Sequence, residues 1–180
     1  MVKRDLIKQI SLLVLLIFGI IGLRFWLLEP VTITPEMANS YLKENDFIMT
    51  VRNVRPIHGD FILYNHEGKE YVSRVIALEN ETVTYMDDVL YRNDIIVTEN
   101  YLKTPHSQES YTDDFTLETL TSGKYNVIPE GHYLVLNDVR TNQQDSRSFG
   151  LISSEAIVGR LTFRISPLSE FGFIKTGLVQ

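Results

Sequence analysis

From Gln9 to Leu23 the chain carries no charge, and after Arg24 the apolar run resumes as Phe25-Trp26-Leu27-Leu28 until Glu29-Pro30 ends it. Read as Ile10 to Leu28, the run spans 19 residues, close to the roughly 20 that cross the hydrocarbon core of a bilayer as a helix. The run therefore predicts one transmembrane anchor over residues 9–28, with a cleaved leader or a buried helix as the alternatives. Arg24 would lay its stem along apolar surface and leave its charge among head groups, with Trp26 as an interfacial anchor. A cleaved secretory leader would show small residues at a processing site. Arg24 to Pro30 offers none, so the segment is expected to be retained. Lys3, Arg4 and Lys8 against Asp5 precede it. That excess predicts that residues 1–8 are cytoplasmic and that 30–180 lie on the extracellular face of the cell membrane.

Lys3, Arg4, Lys8 and Arg24 are four of the 17 basic residues and Asp5 is one of the 23 acidic ones, so from Glu29 onward 13 basic residues face 22 acidic, a net −9. A nucleic-acid surface carries the opposite sign, and none is expected as a partner. With no cysteine there is no disulfide framework, no thiolate nucleophile and no cysteine-based zinc site. A domain of about 150 residues buries enough apolar surface to stand without such staples.

After Pro30 the pattern changes to short apolar or alternating runs divided by turn residues. Phe47–Val51, Asp60–Tyr64, Tyr71–Leu78, Thr82–Met86, Val89–Asn93, Asp94–Thr98, His132–Asp138 and Ala156–Ile165 read as strands. His58-Gly59-Asp60, His66-Glu67-Gly68, Asp87-Asp88 and Pro129-Glu130-Gly131 suit tight turns, and Asp87-Asp88 looks like the closing pair of a hairpin. The expected fold is mostly β, an antiparallel sheet domain behind one N-terminal transmembrane helix. Residues 105–124 turn polar and hold too little apolar surface for a core of their own, so they are expected to be a flap or appendage with one helical turn.

Three stretches are similar to the type I signal peptidase family: Pro30 to Leu42 (PVTITPEMANSYL), Gly68 to Val83 with Leu90 to Leu102, and Val127 to Ile152 (VIPEGHYLVLNDVRTNQQDSRSFGLI). The tail Ile157 to Leu168 also fits, so the resemblance runs in order from the anchor to Leu168. It implies a groove that binds polypeptide as an added strand, formed by Ile33, Thr34, Pro35, Glu36, Met37, Tyr71, Val72 and Ser73. It also implies structural ion pairs among Arg74, Asp138, Asp145 and Arg147.

In that family a serine attacks the scissile carbonyl and a lysine held neutral by burial takes its proton. Here Glu36 stands at the serine position, Ser73 at the lysine position and Gln143 where a serine would orient the amine. Asn137 and Val139 replace the glycine and asparagine on either side of Asp138. A hydroxyl at position 73 is no base near neutral pH, so the chain is expected to be a peptidase fold without peptidase chemistry. It resembles the non-catalytic signal-peptidase-like proteins of Gram-positive pilus assembly, which implies a chaperone or scaffold for a pilin subunit and a sortase. The alternative is an active signal peptidase with a relocated nucleophile such as Ser40, served by Lys43 or Lys69, that processes a narrow set of secreted precursors. His58, His66, His106 and His132 are scattered without ligand spacing, and no glycine-rich phosphate loop occurs, so neither a metal nor a cofactor is expected.

Overall fold

The computed structural model describes residues 2–102 and 110–177, with the side chains of residues 2–6, 20 and 23–25 left aside. A helix, α1 (Val2–Leu27), leads directly into an extended strand, β1 (Leu28–Thr32). The end of the apolar run is therefore strand rather than helix. Pro30 fits there because β1 lies at the edge of its sheet, where a missing N–H costs no ladder bond. Among the described residues no helix is long and apolar enough to cross a membrane. The side chains of Arg24 and its neighbours, and the first part of the 105–124 appendage, fall outside the described residues.

The large antiparallel sheet contains β1, β2 (Phe47–Val51), β3 (Phe61–His66), β4 (Lys69–Ala77), β9 (His132–Leu136), β10 (Ile152–Ser153), β11 (Ile157–Ser166) and β12 (Gly172–Phe173). Its order is β1-β2-β11-β3-β4-β9-β10, with β12 paired to β11. β3 shows why its run reads as continuously apolar. Successive side chains point to opposite faces of a strand, and both faces are covered. Phe61 and Leu63 join Val31, Ile33, Leu42, Ile48, Val72 and Leu161 on one side. Ile62 and Tyr64 join Val75, Tyr133, Val135 and Ile152 on the other.

A smaller sheet of order β7-β6-β5-β8 holds β5 (Val83–Met86), β6 (Val89–Arg92), β7 (Ile95–Val97) and β8 (Phe115–Thr116). The β5–β6 turn is Asp87-Asp88 with φ 52° and 62°, and the β6–β7 turn is Asn93-Asp94 with φ 53° and 62°. Two consecutive left-handed residues are what a two-residue hairpin loop needs, and Asn and Asp tolerate them best after glycine. The described part of the appendage is built into this sheet. β8 pairs with β5, and the single turn α2 (Leu117–Leu120), capped by Thr116, buries Leu117 in a third cluster with Ile76, Tyr85, Leu90, Tyr101 and Leu136.

Candidate functional site

β4 is the strand from which the site is built. Along Lys69–Arg74 it pairs with β3, while its other edge meets β9 only from Arg74 onward. Among the described residues Lys69–Ser73 thus has one edge without a strand partner. Facing it is the turn that follows β1, closed by Met37 N–H donating to the Thr34 carbonyl at 3.1 Å and Ala38 N–H to the Pro35 carbonyl at 3.3 Å. Thr34, Glu36, Met37, Lys69, Tyr71 and Val72 line the resulting groove, with Ser73 and Asn137 at its inner end.

Of the residues expected in the groove, Thr34, Glu36, Met37, Tyr71, Val72 and Ser73 come together. Ile33 does not. It is buried in the core beside Val31 and Leu42, its backbone bonded to Asp46 and Asn45. Pro35 is exposed, and its carbonyl accepts from Ala38 N–H within the turn. Ser40 is exposed, and Lys43 extends to Glu170; Lys69 lies in the groove.

Glu36 and Ser73 share this groove but face different partners. The Glu36 carboxylate is held below the usual carboxylate range, first by a hydrogen bond from the Thr34 hydroxyl, then by its own backbone and by the charge of Lys69. Ser73, 2% exposed, donates to Asn137 Oδ1 at 2.7 Å and lies 3.1 Å from the Tyr64 hydroxyl. Burial pushes the Tyr64 phenol well up, so it stays neutral. Gln143 is exposed and engages through its carbonyl, which accepts from Asp145 N–H at 2.8 Å and from the Ser148 hydroxyl at 2.6 Å. The amide that meets Ser73 belongs to Asn137, whose departure from glycine was visible in the sequence though its reach was not.

Behind the groove, Arg74 makes a two-pronged pair with Asp138, Nε to Oδ1 at 2.7 Å and Nη2 to Oδ2 at 2.6 Å. Its Nη1 donates to the carbonyls of Gly59 and Thr176, and the guanidinium sits 4.0 Å from the Tyr101 ring and 4.2 Å from the Phe61 ring. Asp145 caps the short helix α3 (Ser146–Phe149), accepts from Arg147 Nε at 2.9 Å and Nη2 at 2.6 Å, and receives Asn137 N–H at 2.8 Å.

The signal peptidase, peptidase S26 family model matches residues 4–166. The chain belongs to that family. A Signal peptidase IB of Staphylococcus aureus (strain MRSA252) is 35% identical over 182 residues, covering 95% of each chain. A Signal peptidase I of Bacillus caldolyticus is 42% identical over 119 residues, covering 63% of this chain and 64% of the relative. The crystal structure of a signal peptidase I from Enterococcus faecalis V583 superposes with a TM-score of 0.55 at 39% identity, covering 61% of this chain and 98% of that one. These likenesses correct the expectation of a non-enzyme. Relatives matched over nearly the whole chain are named as peptidases, and exchanges at positions 36, 73 and 143 do not outweigh that likeness. Positions 36 and 73 hold Glu and Ser, so no Ser–Lys pair stands there.

Proposed function

We propose that this chain is a membrane-attached signal peptidase of narrow range, which takes a secreted precursor as an extended strand along Lys69–Ser73 and cleaves it with a relocated nucleophile. The observation that carries the reading is the open edge of β4 facing the Thr34–Met37 turn. Main-chain hydrogen bonds along such an edge give affinity, and pockets for alternate side chains give selectivity.

Among the described groove hydroxyls, two are candidates for attack. Ser73 donates its hydrogen bond to the Asn137 amide oxygen, which cannot serve as a base. Thr34 lines the groove with Glu36 and is the first cause of its lowered pKa, and a carboxylate can accept a proton. In this reading Thr34 Oγ1 bonds to the scissile carbonyl carbon as its proton passes to Glu36; the C–N bond breaks as that proton goes to the leaving amine, and water deprotonated by Glu36 then hydrolyses the Thr34 ester and restores the hydroxyl. A carboxylate held below its usual range is a weak base, so turnover is slow and depends on good positioning of the substrate.

Attachment rests on α1, whose side chains from Ile7 through Phe18 and at Ile21 are apolar and exposed apart from Lys8, Gln9 and Ser11. A lipid environment would cover them, with residues 1–8 in the cytoplasm and the β domain outside. The client class is a secreted precursor such as a pilin subunit, delivered to the groove at the membrane face, where confinement raises its effective concentration. The test is incubation of the full chain in vesicles with a pilin precursor and, separately, a secretory leader peptide, followed by mass spectrometry. Product is expected from at least one substrate, and Thr34→Ala should remove it. No product from either, or undiminished product from Thr34→Ala, overturns the assignment.

A further inference from the structure

Asn142 ties the two walls of the groove together. Its side-chain Nδ2 donates to the Glu36 carbonyl at 2.9 Å, spanning from the loop after Asp138 to the turn after β1. The rest of the residue is fixed. Its Oδ1 accepts from Gln144 N–H at 3.0 Å, and its carbonyl accepts from Asn137 Nδ2 at 3.1 Å and Arg147 Nη2 at 2.8 Å. Asn137 in turn receives the Ser73 hydroxyl. The bridge therefore rests at one end on a chain of bonds reaching β4 and at the other on a single backbone carbonyl.

Two consequences follow from the geometry. The Asn142 side chain crosses the groove from one wall to the other, and its bond takes up one of the two lone pairs of the Glu36 carbonyl. The space along the groove is also nearly closed, with about 10 Å³ left in each of its two pockets, no more than one water requires. We propose that Asn142 is a gate and positioning residue, whose bond to Glu36 must open before extended polypeptide can enter. The substrate's own main-chain N–H then takes over the Glu36 carbonyl, so selectivity falls on segments able to make that exchange. This rests on the reading of the groove as a polypeptide site.

The test measures binding of a synthetic secretory leader with an Ala-x-Ala cleavage site to the full-length chain in vesicles, by photocrosslinking from position 72 and by titration. Asn142→Asp keeps the size and the acceptor toward Gln144 but removes the donor to Glu36; Asn142→Ala removes both. Both variants should bind the leader about three- to tenfold more tightly than the wild type, the range expected when a neutral hydrogen bond no longer competes. Asn142→Gln, which retains a donor, should fall between. Thermal melting identifies any variant whose fold is lost, in which case the other two carry the comparison. Wild type and folded variants binding alike would overturn the gate while leaving the groove reading intact. Absence of binding in all of them would overturn both.

Discussion

Two clusters of polar side chains start from the adjacent β4 residues Ser73 and Arg74, and they are held in opposite ways. Behind β4, Arg74 and Asp138 are 0% and 6% exposed at their side chains and meet through two parallel charge-assisted bonds. In front of it, Ser73 makes neutral bonds to Tyr64 and Asn137, while Glu36 faces solvent beside Thr34. The rear cluster fixes the loop that carries Asn137 and Asn142 irrespective of what chemistry the groove performs. The front cluster reaches that loop through the Ser73–Asn137 and Asn142–Glu36 bonds, which are neutral and single. A family can thus keep its architecture while the groups at positions 36 and 73 change.

The sharpest way to break this contrast is to remove one member of the rear pair. Asp138→Ala leaves the Arg74 guanidinium buried among Tyr41, Phe61 and Tyr101 with its charge uncompensated. Loss of one partner of a buried pair costs about 3–5 kcal/mol. Denaturant unfolding should show a loss of that size. A loss below about 1 kcal/mol would mean that the rear cluster does not fix the loop.

The next test exchanges the front cluster. Glu36→Ser with Ser73→Lys places a hydroxyl on the turn and an amine in a position that is 2% exposed. Desolvation there lowers the ammonium pKa, as a lysine base requires. Positioned proton transfer contributes about 10²–10⁴-fold, so cleavage of a secretory leader should rise by at least about a hundredfold over the wild type. A double variant that melts like the wild type yet cleaves no faster would show that the rear scaffold alone does not preserve a competent groove.

The two regions also differ in how far they can be read from the chain. Strands such as Phe61–His66 are announced by an apolar run, because both faces of the sheet are covered. The hairpins are announced by Asp87-Asp88 and Asn93-Asp94, whose side chains suit left-handed backbone. β1 is hidden because its residues continue the apolar run of the helix and include Pro30, which is tolerated only at an edge. β8, β10 and β12 have two residues each, too few for any period to show. At the site, Glu36 and Ser73 were legible as exchanges. The bridge from Asn142 to Glu36 was not, since it joins residues 106 apart through the fold of a loop. Ile33 reads as a groove residue from its neighbours, but the bonds of its backbone to Asp46 and Asn45 turn it into the core.

The smallest effect concerns the exposed half of the front cluster. The Thr34 hydroxyl is the leading cause of the lowered Glu36 pKa, ahead of its own backbone and Lys69. A carboxylate with a depressed folded-state pKa adds stability that is present above its unfolded value and lost as pH falls through the folded one. The window therefore lies below the ordinary value of 4.5. Thr34→Val removes the bond and should move the Glu36 titration, followed by NMR, upward toward that value. It should also flatten the pH dependence of stability below 4.5, while leaving stability at neutral pH nearly unchanged because the group is solvent-facing. A Glu36 titration that stays in place in the variant would assign the shift to Lys69 and the backbone instead. Thr34 would then lose its link to the only carboxylate that the proposed chemistry uses.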